Sequence, residues 1–118
     1  MEKIIIYSYP KCSTCRKASK WLDQNNIKYQ LIDIVKEPPS KKFLKLALIE
    51  FSLDKKKIFN TRGKSFKSMD VNILELEKKK IIKLLSNDGK LIKRPFLVIN
   101  ESKLILGFNE SEYASKLK

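Results

Sequence analysis

Histidine is absent from this sequence, and cysteine occurs only twice in 118 residues. A closed zinc site takes about four ligands. Two thiols with no histidine fall short of that, so a metal centre is excluded unless a second chain completes it. No apolar run comes near the roughly 18 residues that a membrane-spanning helix needs. Met1-Glu2-Lys3 leads into an isoleucine run too short for a signal peptide, and no small-residue cleavage site follows. No membrane partner is expected, and a reducing cytoplasm is the setting these cysteines imply. Linkers, internal repeats and low-complexity tails are also missing, so one domain is expected over residues 1–118. Arginine is scarce: Arg16, Arg62 and Arg94 stand against 23 lysines.

What is present centres on Tyr9-Pro10-Lys11-Cys12-Ser13-Thr14-Cys15-Arg16. A β-type segment, 3–8, precedes it, with Ile4-Ile5-Ile6 at its heart. Cys15, Ala18, Trp21 and Leu22 follow at helical spacing. The cysteines therefore fall where a strand ends and a helix begins. The first helical turn carries unpaired N–H groups and the positive end of the helix dipole, and both favour a thiolate. Cys12 is expected as the exposed, ionised nucleophile. Cys15, one turn inward, is expected to attack a mixed disulfide on Cys12 and release the product. Inert buried thiols are the plain alternative, but fillers rarely take this spacing on such a turn. A purely structural disulfide would close a very short loop and constrain the unfolded chain little.

The net charge of +13 invites a nucleic-acid reading. The lysines, however, are spread along the chain, in Lys41-Lys42, Lys55-Lys56-Lys57 and Lys78-Lys79-Lys80. Lys, Ile and Asn are favoured throughout, which marks a compositional bias. A solvated lysine surface is the expectation, with at most weak attraction to polyanions and no direct nucleic-acid contact. The three arginines differ, because guanidinium offers a planar fork of donors that lysine lacks. Arg16 adjoins Cys15, and Arg62 and Arg94 are candidates for the same site.

The pattern along the chain predicts an α/β fold. Residues 28–34 read as a second strand, completing a βαβ unit with parallel strands. Lys36-Glu37-Pro38-Pro39 stops the pattern, and Ser40 is set to cap a helix with Phe43, Leu44, Ala47, Leu48 and Phe51 inward. Residues 52–69 read as short helical turns and a loop, with Arg62 pointing inward from a tight turn at Gly63. A helix is expected over 73–85, burying Leu74, Ile81, Leu84 and Leu85, and Asn87-Asp88-Gly89 ends it. Residues 96–99 are a buried strand, 103–106 its hairpin partner, and 110–117 a closing helix capped by Asn109. The order, βαβ then ββα with a helical insertion at about 40–90, is the thioredoxin-like plan. Such a fold places a proline before its third strand, against the cysteine loop. Pro95 fits, and a cis bond is expected there.

The sequence also resembles the ArsC/Spx family, which includes glutaredoxin-type arsenate reductases and Spx/MgsR-type transcriptional regulators. The resemblance covers essentially the whole chain. It rests on Pro10-Lys11-Cys12-Ser13-Thr14-Cys15-Arg16-Lys17-Ala18, Asp33-Ile34, Glu37-Pro38-Pro39-Ser40, Phe59-Asn60-Thr61-Arg62, Leu91-Ile92-Lys93-Arg94-Pro95 and Leu106-Gly107-Phe108-Asn109-Glu110. It implies that Cys12 is the catalytic cysteine and that Arg62 and Arg94 hold an oxyanion beside it. It further implies no bound cofactor and an external thiol donor: glutathione, glutaredoxin or a thioredoxin-like protein. The implied partners are a small anionic substrate, a thiol-carrying protein or, for a regulator, the RNA polymerase α subunit. Three departures stand out. Gly107 occupies the place of a third family arginine, Cys15 adds an internal thiol to the reductase pattern, and Asp54 stands where the regulators carry a polymerase-docking glycine.

Overall fold

The computed structural model describes residues 2–70 and 72–117. Four strands form one mixed sheet in the order β2-β1-β3-β4. Strand β1 (Ile4–Ser8) pairs in parallel with β2 (Gln30–Asp33), and Ile6 lies opposite Leu31. On its other side β1 pairs antiparallel with β3 (Phe96–Ile99), which pairs antiparallel with β4 (Lys103–Leu106). Three residues, 100–102, join β3 to β4: the Ser102 N–H donates to the Ile99 carbonyl at 3.1 Å, closing a turn around Asn100 and Glu101, both at positive φ.

Helices cover both faces of the sheet, which explains why its central strands are continuous apolar runs rather than alternating ones. Ile4, Ile6, Leu97, Ile99 and Ile105 pack against helix α1 (Ser13–Gln24) and helix α5 (Glu110–Leu117) through Ala18, Trp21, Leu22, Tyr113 and Leu117. The alternate residues Ile5, Tyr7, Phe96, Val98 and Leu104 face helix α2 (Lys41–Glu50) and the rest of the insertion. Ser40 Oγ accepts from the Phe43 N–H, as its sequence position predicted, and Asn109 Oδ1 accepts from the Glu112 N–H. Among the described residues no helix is long and apolar enough to cross a membrane.

The insertion departs from the sequence reading in three ways. The helix expected over 73–85 is divided into a 3-10 turn, Ile73–Glu75, and helix α4, Lys78–Asn87. Asn72 caps the first turn by accepting from the Leu74 N–H, and extended backbone at Leu76 and Glu77 separates that turn from α4. The division rotates Leu74 to the surface and brings Ile82 into the core instead. Leu84 ends only partly buried. Gly63 takes no left-handed turn: its φ is −78° and it precedes the short helix α3 (Lys64–Lys67). Arg62, expected to point inward, is exposed.

Candidate active site

Strand β1 delivers the chain to the mouth of the sheet, and α1 leaves from it. The Cys12 N–H donates to the Tyr9 carbonyl at 3.0 Å, and the Arg16 N–H donates to the Cys12 carbonyl at 3.1 Å. This places Cys12 at the N-cap of α1 in extended conformation, φ −92° and ψ 117°. Arg16 braces the loop from outside, its Nη1 donating to the Pro10 carbonyl at 2.8 Å. Its role is therefore to hold the loop, and its guanidinium faces a backbone carbonyl.

The two sulfurs sit in opposite environments. Cys12 is half-buried and Cys15 is 1% exposed; both are free thiols. Burial alone would push the Cys12 thiol up. The backbone N–H and thiol of Cys15 and the nearby Arg94 guanidinium outweigh it, and the pKa is lowered. Burial is also the main influence on Cys15, and here it prevails, raising the pKa to about 11. The Cys12 sulfur reinforces that rise, while the Tyr9 N–H, 3.4 Å from the Cys15 sulfur, and the Ser8 hydroxyl oppose it. Ser8 is itself buried on the last residue of β1.

Arg94 reaches this site from the segment before β3. The Arg94–Pro95 peptide bond is cis, and Pro95 is buried beside the cysteine loop's own strand partner, Phe96. The guanidinium carbon lies 5.0 Å from the centre of the Tyr9 ring, a cation–π contact that orients the side chain. Nη1 of Arg94 is buried and, among the described residues, has no hydrogen-bond partner. Buried donors are nearly always satisfied, so this one is a donor held ready for an acceptor.

Cys12, Cys15, Pro10, Arg16 and Arg94 thus meet around one loop, with Pro95 next to Arg94 in the chain, and among the described residues no contact joins Arg62 to them. Arg62 is exposed and, among the described residues, makes no hydrogen bond or ion pair. It is also not among the groups that shift Cys12. The Phe59–Ile92 bridge and the Asn60 N–H to Leu91 carbonyl bond tie the insertion to the segment before Pro95. Arg62 follows that tie in an exposed turn. Sequence reasoning missed Tyr9 and Ser8. Tyr9 could have been singled out as the aromatic residue beside Pro10 in the loop, but a serine ending a strand carries no such signal.

The arrangement makes a measurable distinction between the arginines. In a Cys15→Ser background, Arg94→Ala is expected to raise the Cys12 pKa and to weaken sulfate or phosphate binding. Arg94→Lys keeps the charge but loses the fork, so anion binding should fall with a smaller pKa change. Arg62→Ala should change neither. Thiolate absorbance against pH reads the first quantity and calorimetry the second; an unchanged titration in Arg94→Ala would remove Arg94 from the site.

The ArsC family profile matches residues 7–115. The chain is 38% identical over 112 residues to the uncharacterized protein YusI of Bacillus subtilis, covering 93% of this chain and 94% of that one. It is 35% identical over 113 residues to the regulatory protein MgsR of the same organism, covering 94% and 87%. Among solved structures, a possible arsenate reductase from Streptococcus mutans superposes with a TM-score of 0.86 at 35% identity, covering 97% of this chain and 99% of the other. These matches run through the cysteine loop, the insertion and the hairpin alike, and on them the chain belongs to the ArsC family.

Proposed function

We propose that the protein is a thiol–disulfide oxidoreductase in which Cys12 attacks and Cys15 resolves. The observation that carries this reading is the opposed setting of the two thiols: one half-exposed beside Arg94 with a lowered pKa, the other buried with a raised one. The Cys12 thiolate attacks a substrate disulfide. One sulfur of that disulfide leaves as a thiolate, and the other becomes bonded to Cys12. Cys15 then loses its proton and attacks the Cys12 sulfur, releasing the second substrate sulfur. The substrate gains two electrons and the protein is left with a Cys12–Cys15 disulfide. An external thiol donor, such as glutathione, glutaredoxin or a thioredoxin-like protein, returns the two electrons in a further exchange.

The two steps are coupled through charge. While Cys12 is a thiolate, its sulfur helps hold the proton on Cys15. Once Cys12 is bonded to substrate, that influence is gone and Cys15 ionises more readily. The second attack is favoured only after the first. Arg94, with one donor unpaired, is placed to receive an anionic substrate or the charge on a departing thiolate.

A second reading makes the same redox pair a sensor in a transcriptional regulator that binds the RNA polymerase α subunit. The likeness to MgsR supports it. One comparison separates the two. The oxidoreductase should sustain many turnovers of a small disulfide substrate with a glutathione-coupled donor. The regulator should retain RNA polymerase α in a pull-down that depends on its oxidation state. Redox-dependent capture without turnover would replace the enzymatic reading with the regulatory one.

A further inference from the structure

A second cleft, of about 560 Å³, opens beside the segment that carries Arg94. Its apolar wall is Phe51, Phe59 and Leu106. Lys56, Lys93 and Thr61 supply polar groups around it. The two carboxylates of the lining are already opposed by lysines: Asp54 lies 4.0 Å from Lys57, and Glu112 lies 3.0 Å from Lys116. The side-chain ammonium groups of Lys56 and Lys93 have no hydrogen bond or ion pair among the described residues. The cleft therefore presents two uncommitted ammonium groups next to an apolar surface.

Lys93 owes its course to Gly107. A Cβ at residue 107 would stand 3.1 Å from Lys93 Cε and 3.9 Å from its Nζ. Gly107 also has φ +79°, a conformation that disfavours any side chain. The lysine stem lies across the space that a larger residue would fill. Lys93 and Arg94 are consecutive, so their Cα atoms are about 3.8 Å apart. Arg94 turns to Tyr9 and Cys12, whereas Lys93 turns to the cleft. One segment thus flanks both the reactive thiolate and the cationic cleft.

We propose that this cleft binds an acidic, partly apolar segment of the protein whose disulfide Cys12 attacks. This rests on the exchange reading given above and names the class of substrate it prefers. Charge complementarity selects the acidic side chains, and Phe51, Phe59 and Leu106 receive an apolar neighbour. An inorganic anion would leave that apolar wall unused. Lysine, a flexible point charge, suits a carboxylate presented in varied poses. Each exposed pair contributes little to affinity, so the main effect is on encounter rate, where a cationic cleft concentrates acidic ligands by tenfold or more.

Two peptides test it, each carrying one cysteine as a mixed disulfide with neutral 2-thiopyridine and a leucine beside it. One is flanked by glutamates, the other by glutamines. In a Cys15→Ser background the Cys12 thiolate attacks the peptide sulfur, the S–S bond breaks, and pyridine-2-thione leaves and is read by absorbance. At low salt the acidic peptide should react about tenfold faster, as expected for steering by a charged cleft. The ratio should fall toward one in Lys56→Gln/Lys93→Gln and persist in Lys28→Gln/Lys83→Gln, which removes the same charge elsewhere. A ratio near one in the parent, or equal losses in both double variants, would overturn the proposal. Anisotropy of a labelled acidic peptide with serine for cysteine keeps the two readings apart. If that peptide binds through Lys56 and Lys93 while neither disulfide reacts, the cleft stands and the exchange reading fails. If it binds no better than the glutamine peptide, the cleft proposal fails whatever Cys12 does.

Discussion

Cys12→Ser is expected to lose disulfide exchange by a factor on the order of 10³ or more, as removal of a nucleophile does, while Cys15→Ser should stall midway. The stalled product is a protein carrying one substrate sulfur on Cys12, visible as an added mass that reductant removes. The asymmetry follows from ionisation. With Cys15 held near 11, nearly all of it is protonated at pH 7. Cys12, lowered by Cys15 and Arg94, should ionise well before it. Limited alkylation near neutral pH, followed by peptide mapping, should therefore mark Cys12 first. The rate of that reaction should rise with pH and level off below the ordinary thiol range. Preferential labelling of Cys15 would exchange the two roles.

The same shift sets a stability trend in the reduced protein. Cys15 has a folded pKa above the ordinary 9.0 of a thiol. Its contribution is fully present below pH 9 and declines as pH rises toward 11, because the unfolded chain releases a proton that the folded chain retains. Because Cys15 also shifts Cys12, the comparison is made without the Cys12 thiol, between Cys12→Ser and Cys12→Ser/Cys15→Ser. A steeper alkaline loss in Cys12→Ser than in the double variant is the expected result, since burial is the main cause of the Cys15 rise.

The cysteine loop was legible in the sequence because its signals are local. A β run, a proline and a helical spacing within a few residues dictate where Cys12 and Cys15 stand. Pro95 was legible for the same reason, and its cis bond is present. The insertion was harder. Leu74 matches the spacing of Ile81 and Leu85, yet the Asn72 side chain starts a separate 3-10 turn by bonding the Leu74 N–H, and extended Leu76 and Glu77 divide that turn from α4. A local break in the helix overrides the apolar period there. Arg62 shows a different limit. Its scarcity as a residue type marks it, but scarcity says nothing about direction, and the turn after the Phe59–Ile92 bridge leaves it exposed. Tyr9 and the free Nη1 of Arg94 depend on contact between segments some eighty residues apart, which no local pattern encodes.

Gly89→Ala is expected to destabilise the protein more than any surface change. Gly89 opens the 3-10 turn Gly89–Leu91, directly after α4, and Asp88 accepts from the Lys90 N–H to start it. At this point the insertion returns to the sheet and presses against the chain leaving β2. A Cβ at residue 89 would stand 1.9 Å from the Ile34 carbonyl oxygen and 3.1 Å from the Val35 Cα. Both are backbone atoms, so no side-chain rotation relieves the clash. Ile34 is fully buried and its N–H donates to the Ser8 carbonyl at 2.9 Å, so a shift there moves the end of β1 and the cysteine loop with it. Overpacking of a buried site costs up to about 3 kcal/mol, sometimes more. For a chain of this size a cost of about 3 kcal/mol lowers Tm by about 12 °C. Ala at Gly63, where the nearest atom is the end of the Asn60 side chain at 2.7 Å, is the control, because that amide can swing away. Calorimetric melting of the two variants, with Cys12 alkylation as a second readout, distinguishes them. Equal melting temperatures would show that the chain after β2 yields to the new methyl, and that the close approach at Gly89 does not fix the active-site loop.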